Sequence, residues 1–287
     1  MQVTVHAPAK INVTLDVVGV RADGYHLLES VMQSVDCVDT LTATATDGEV
    51  SLTVLGAPPC AVEKNTAYRA AQVFLRETGI AGGVAMTLTK RIPQQAGMGG
   101  GSADAAAALL ALNALYDTRL STEDLCAMGL QVGADVPFCV LGGTAMVTGI
   151  GEGLEPLAAM PDCAIVIAQP ADGVSTAAAY AALDGAPIID HPDNAAARDA
   201  LCRGDLGALC AQVYNVFEPA TALAGVRQIR TAMAAFSPLA SQMTGSGSAV
   251  FAIFDDAARA QACADALAQT FPTAFVCRPC AGNQIIV

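Results

Sequence analysis

Apolar positions along this chain change period several times, and each change marks an element. From Val3 to Val18 apolar and small residues alternate imperfectly, which predicts strand structure interrupted at Pro8. GVRADG at 19–24 is turn chemistry. Thr40 to Val54 is rich in Thr and Val, and Asp47-Gly48 within it predicts a hairpin. Over Lys64 to Thr78 apolar residues fall at 67, 70, 71, 74 and 75, the spacing of an amphipathic helix. Val84 to Thr89 predicts a strand leading into a glycine-rich loop.

Ala103 to Tyr116 is Ala and Leu almost all round, so a helix there has no face left for water and belongs between layers. Ser121 with Asp124 predicts a helix start for 121–129, and Gly142 to Gly153 reads as glycine-punctuated strand and turn. A boundary falls near 157–162, where PLAAMPD precedes the apolar run CAIVIAQP. Beyond it the pattern predicts Ala-rich helices at Ser175–Leu183 and Ala195–Cys202, joined by a Pro- and Asp-containing stretch. Further helices at 221–235 and 256–269 bracket a strand, Ala249–Phe254. Helices and strands mixed in this way predict an α+β fold in two domains, 1–157 and 158–287.

Composition narrows the class. With 53% hydrophobic and 14% charged residues, the chain has ample apolar surface to offset its entropy, and disorder is excluded. No run of apolar residues is long enough to span a bilayer. The first residues lack a basic segment followed by an apolar core, so no export signal is expected. Ten cysteines in 287 residues are too sparse for a disulfide scaffold, which points to a reducing, cytoplasmic compartment. Cys277 and Cys280 form the one CxxC, with no second pair and no nearby histidine, so all ten cysteines are expected to be small buried hydrophobes. A net charge of −13 argues against nucleic-acid and anionic-membrane partners. Only three of the cations are lysines, Lys10, Lys64 and Lys90.

Four segments can carry chemistry. In the loop from Pro93 to Asp104, glycines at 97, 99, 100 and 101 let backbone approach a ligand just before a helix N-terminus, which favours phosphate. The loop has neither the Gly-Lys-Ser/Thr of a P-loop nor the dinucleotide fingerprint. Lys10, in Ala7–Val13, sits among apolar neighbours and faces either an anion inside or solvent outside. Tyr25 and His26 can pack a base or fill a core. Asp135 is placed either to pair with Lys10 or to cap the helix that begins near Pro137. Thr244 to Ser248 is a glycine and hydroxyl turn, open to closing over phosphate or to being a plain connection.

Together PAKINV, PxxxGMGGGSADA and TGSGSAVF resemble, in order and spacing, the three motifs of the GHMP kinase superfamily. RADGYH at 21–26 and GADVP at 133–137 resemble its 4-diphosphocytidyl-2-C-methyl-D-erythritol kinase family. The resemblance implies a ribosomal protein S5-like N-terminal domain, a ferredoxin-like C-terminal domain and a site between them. It implies ATP- and Mg2+-dependent phosphorylation of a CDP-linked sugar alcohol, on the non-mevalonate route to isoprenoid precursors. Asp135 then matches the catalytic base and Lys10 the cation that keeps it ionised. Asn12, Tyr25 and His26 match substrate-side positions, and Asn65 a position near the adenine. Pro93, Gln94, Gln95, Ala96, Gly97, Met98, Gly99, Gly100, Gly101, Ser102 and Ala103 match the ATP-phosphate loop, with Ser102 also the candidate metal ligand. Thr244, Gly245, Ser246 and Gly247 match the third motif. Ala103 departs from the pattern by replacing a second serine, and Met98 by replacing a leucine. Tyr180 is the nearest candidate for a second aromatic over cytosine and is left out of the expected site. The expected molecule is a monomer or weak homodimer. The competing readings are a mevalonate- or homoserine-type kinase of the same superfamily and a catalytically inactive nucleotide-binding regulator.

Overall fold

The computed structural model of the chain describes residues 1–58, 60–171, 173–185, 188 and 190–287. Its first half runs β1 (Gln2–Asn12), β2 (Thr14–Val20), β3 (His26–Thr46), β4 (Ser51–Leu55), α1 (Thr66–Thr78), β5 (Gly83–Thr89), α2 (Gly100–Leu115), α3 (Thr122–Leu130), α4 (Val136–Leu141), β6 (Thr144–Gly149) and β7 (Gly153–Pro156). The second half runs β8 (Ala164–Gln169), α5 (Thr176–Asp184), α6 (Asn194–Arg203), α7 (Leu206–Cys210), β9 (Tyr214–Asn215), α8 (Phe217–Thr221), α9 (Ala224–Ala234), β10 (Ala240–Met243), β11 (Val250–Phe254), α10 (Ala257–Ala268), β12 (Thr273–Cys277) and β13 (Gln284–Ile286). The α+β expectation holds. Of the Pro- and Asp-containing stretch before α6, residues 186, 187 and 189 lie outside the described residues. Among the described residues no helix is long and apolar enough to cross a membrane.

β3 organises the larger sheet. Its first part pairs with β2 and β6, and its last part with β1 and β5, all antiparallel. Pro8 does not interrupt β1 as expected: the strand continues, and the missing N–H is absorbed by a register shift between Pro8 and Ala9. Asp47-Gly48 is not a hairpin either. β5 pairs antiparallel with β3 and parallel with β4, so it lies between the two strands that the turn connects. The reason is burial: β5 is mostly buried, whereas alternate residues of β4 are exposed, so the more apolar strand takes the inner place.

α2 lies across this sheet, packed on β1, β3, α1 and α4, and Ala105, Ala106, Ala107 and Ala108 are fully buried. Alanine on every side lets the helix approach each neighbour closely. α3 starts on a reciprocal capping box between Ser121 and Asp124, as its sequence predicts.

The smaller sheet has the order β10-β11-β8-β12, all antiparallel. Val166, Ala168, Val250, Ala252 and Phe254 share a core with α9 and α10 residues, while Ile165, Ile167, Phe251 and Ile253 belong to the core of the larger sheet. Two late strands return to the larger sheet, β9 beside β2 and β13 beside β1. The cysteines divide: Cys139, Cys163, Cys210, Cys263 and Cys277 are buried, but Cys60 and Cys202 are exposed, contrary to expectation, because neither lies on a core-facing position.

Ala106→Leu inserts a side chain where there is no space, and we expect it to lower unfolding free energy by about 1–3 kcal/mol in urea denaturation. Unchanged stability would show that α2 is not tightly enclosed.

Candidate active site

One cleft of about 1050 Å³ is lined by β1, the turn before β3, the loops before α1 and α2, the start of α4, the segment before α5 and the turn after β10. All three lysines of the chain line it. Lys10 points inward from β1 and is only 3% exposed. Its Nζ lies 3.4 Å from Asp135 Oδ2 and donates to Asn12 Oδ1 at 2.7 Å. Asp135 occupies the N-cap position of α4, yet its side chain makes no capping bond there, and Pro137 supplies the preset helical start. Its carboxylate, one-third exposed, turns to Lys10 instead. Pairing, not capping, is the role of this side chain. A cation so close offsets part of the cost of taking the carboxylate out of water.

The phosphate loop is tied on both sides. Lys10 N–H donates to Met98 O at 3.0 Å, and Ala249 N–H donates to Ala96 O at 3.1 Å. Gly97 has φ 74°, and a Cβ there would stand 2.1 Å from Thr244 O, so only glycine lets the loop lie on the turn after β10. Gly100, Gly101 and Ser102 line the cleft in the first turn of α2, where N–H groups have no intrahelical acceptor and the helix dipole is positive.

Below the loop lies a buried cluster that the sequence reading missed. Lys90 Nζ bonds both Asp39 and Asp104, the latter at 2.5 Å. Asp39 Oδ1 also accepts from the backbone N–H groups of Arg91 and Ile92. Two carboxylates thus share one ammonium. Burial pushes the Asp104 carboxyl up to about 7 although Lys90 pulls it down, and its Oδ1 has no partner. The Lys90 ammonium is held above its usual range by Asp104 and Asp39, against burial, which acts the other way.

The expected residues Asn12, Tyr25, His26, Asn65, residues 93–102, Gly245, Ser246 and Gly247 all line the same cleft. Two do not. Ala103 is fully buried because it faces inward from α2, and Thr244 is buried because its hydroxyl bonds Asn12. Asn65 caps α1 by accepting from Ala67 N–H. Tyr180, left out of the expected site, also lines the cleft, its ring 4.6 Å from that of His26. His26 Nε2 contacts Asp184 at 2.7 Å. Among the described residues no group of three His, Cys, Asp or Glu side chains is placed to hold a metal.

Family models for the N-terminal and C-terminal domains of GHMP kinases match residues 65–143 and 197–273. A 4-diphosphocytidyl-2-C-methyl-D-erythritol kinase of Exiguobacterium sibiricum is 44% identical over 264 residues, covering 91% of this chain and 92% of the relative. Another, of Clostridium beijerinckii, is 37% identical and covers 96% and 99%. The chain belongs to the GHMP kinases, in their 4-diphosphocytidyl-2-C-methyl-D-erythritol kinase family. A crystal structure of 4-(cytidine 5'-diphospho)-2C-methyl-D-erythritol kinase matches with a TM-score of 0.80 at 34% identity, over 96% of this chain and 98% of that one. The homoserine kinase of Cytophaga hutchinsonii, at 22% identity and TM-score 0.78, shares the fold. This GHMP kinase therefore has the family's two-domain fold, and as a small-molecule kinase it uses ATP.

Two predictions follow from the geometry. Gly97→Ala should abolish nucleotide binding in calorimetry, since the loop must leave Thr244; retained affinity would contradict the packing. The folded state holds the Asp104 proton to about pH 7, whereas the unfolded chain releases it near 3.8, so stability falls as pH rises through that window. Asp104→Asn should flatten this slope in denaturation measured across the window, and parallel curves would contradict it.

Proposed function

We propose that this chain transfers the γ-phosphoryl group of ATP to a hydroxyl of 4-diphosphocytidyl-2-C-methyl-D-erythritol, giving the 2-phosphate on the non-mevalonate isoprenoid route. The names of its relatives support the substrate. The observation that carries the reading is the Lys10–Asp135 pair, 3.4 Å apart in the cleft that the phosphate loop also lines.

In this reading Asp135 accepts the proton of the substrate hydroxyl as that oxygen attacks the γ-phosphorus. Lys10 holds Asp135 in place beside the acceptor and faces the charge that develops on the transferred group. The first-turn N–H groups of α2 hold the nucleotide phosphates, and the turn 244–247 closes on them. His26, with Tyr180 against it and Tyr25 beside the same cleft, receives the cytosine, and Asn12 meets the acceptor end. Asn65 stands at the adenine end.

The cleft wall offers oxygen donors, which suits a hard cation held by few side chains and the substrate's own phosphates. Mg2+ would be held by Ser102 and those phosphates. When bound it neutralises phosphate charge. We divide the chain into domains at residues 1–157 and 158–287, a reading supported by the opening of the smaller sheet at Ala164 and by one family model on either side. The acidic balance supports an enzyme that binds neither nucleic acid nor an anionic membrane surface.

A coupled assay should show ATP consumption with the CDP-linked alcohol and none with mevalonate or homoserine; the reverse preference would overturn the substrate. Asp135→Ala should lower kcat by about 10²–10⁴-fold while the ATP Kd stays within about twofold. Loss of ATP affinity in that variant would refute its role as base.

A further inference from the structure

One face of α5 is built against a single histidine. His26 opens β3, and α5 brings Tyr180 and Asp184 to it, four residues apart and so neighbours on the helix surface. The Tyr180 ring lies 4.6 Å from the imidazole at an interplanar angle of 36°, and Phe217 stands edge-on to Tyr180 at 4.9 Å. This packing sets the plane of the imidazole but allows both orientations related by a half-turn about its Cβ–Cγ bond. Asp184 removes the choice, since its Oδ1 meets Nε2 at 2.7 Å. Helix stability does not account for Asp184: it is the last residue of α5, where the helix dipole disfavours a carboxylate.

The proton follows from the pairing. An ionised carboxylate only accepts, so Nε2 carries a proton, and in the neutral ring Nδ1 is left as an acceptor. Nδ1 has no hydrogen-bond partner among the described residues, and His26 lines the cleft whereas Asp184 does not. An acceptor there distinguishes the pyrimidines. Cytosine carries an exocyclic amine where uracil carries a carbonyl oxygen. The amine donates to Nδ1; the oxygen would face its lone pair. A site built to accept an N–H rejects the analogue that lacks it, because its own polar atom is then left unpaired.

We propose that Asp184 is a specificity-determining residue for the cytidine half of the substrate: by taking the Nε2 proton of His26 it presents Nδ1 to the cytosine amine and turns uridine diphosphates away. The proposal rests on the reading above in which His26 receives the cytosine. Asp184 acts through His26 and is a positioning residue, so its loss should appear in the choice of base and not in turnover.

The test is calorimetry with CDP and with UDP, the ATP subsite being filled by a non-hydrolysable ATP analogue. It is run on the wild-type protein, Asp184→Asn, Asp184→Ala and Asp184→Glu. The wild type should prefer CDP by about tenfold or more. Asparagine can turn either its oxygen or its N–H to Nε2, and alanine lets the ring turn over. In both, CDP affinity should fall about tenfold while UDP affinity stays within about twofold. Glutamate keeps the carboxylate and should keep most of the preference. In steady-state kinetics the KM for the CDP-linked alcohol should rise about tenfold in Asp184→Asn, with kcat and the KM for ATP within about twofold. Asp184 is largely exposed, so the variants should fold, which thermal unfolding checks; if Asp184→Ala does not, Asp184→Asn decides. An unchanged CDP preference in Asp184→Asn would overturn the proposal. So would equal losses for CDP and UDP, which mark a general loosening of α5, or an Asp184→Glu protein no more selective than Asp184→Ala. His26→Ala run alongside separates the two levels. A wild type that binds CDP no better than UDP refutes the cytosine reading itself, whereas a preference lost in His26→Ala but kept in Asp184→Asn refutes only the role of Asp184.

Discussion

Burial of the Lys10 ammonium is the constraint on which the rest depends. A lysine on an inner strand is costly unless its charge is matched and each of its protons finds an acceptor. Asp135 supplies the charge and Asn12 an acceptor, while the backbone N–H of Lys10 itself holds Met98 in the phosphate loop. One residue thus sets the distance between a carboxylate that can take a proton and a loop that can hold phosphate. The Cβ-free position at Gly99 follows from it, since a side chain there would stand 2.9 Å from the Lys10 stem.

The same economy explains how a chain of net charge −13 accommodates anionic ligands. Its few lysines are concentrated on the cleft, and the backbone contributes the remaining positive potential through the first turn of α2. Beneath that turn, Lys90 joins the end of β5 to β3 and α2 through Asp39 and Asp104. Fixing the loop in this way lowers the entropy lost when a nucleotide binds.

Much of the site could be read from the chain because glycine, lysine and aspartate in apolar surroundings have few structural uses. The glycine run, Lys10 and Asp135 each stood out against their neighbours, and α1 announced itself by periodicity and α3 by its cap. What local pattern did not carry was pairing at long range. Asp47-Gly48 looked like a hairpin, but the choice between β4 and β5 as the neighbour of β3 was made by burial over the whole sheet. Asp39 and Asp104 were silent for a related reason: single polar residues acquire meaning only when folding brings a partner such as Lys90, 14 or 51 positions away, into contact. Tyr180 needed the fold as well, since only the packing of α5 beside the β2–β3 turn sets its ring against His26.

The central claim is that strand β1, the phosphate loop and the turn after β10 form one rigid unit before any nucleotide arrives. Hydrogen exchange of the free protein tests it at three amides: Lys10, bonded to Met98 O; Asn12, bonded to Thr244 Oγ1; and Ala249, bonded to Ala96 O. All three should exchange only through global unfolding, as slowly as the buried amides of β3. Fast exchange at these positions in the free protein, slowed only when ATP is added, would show that the site is assembled by its ligand and would contradict the account.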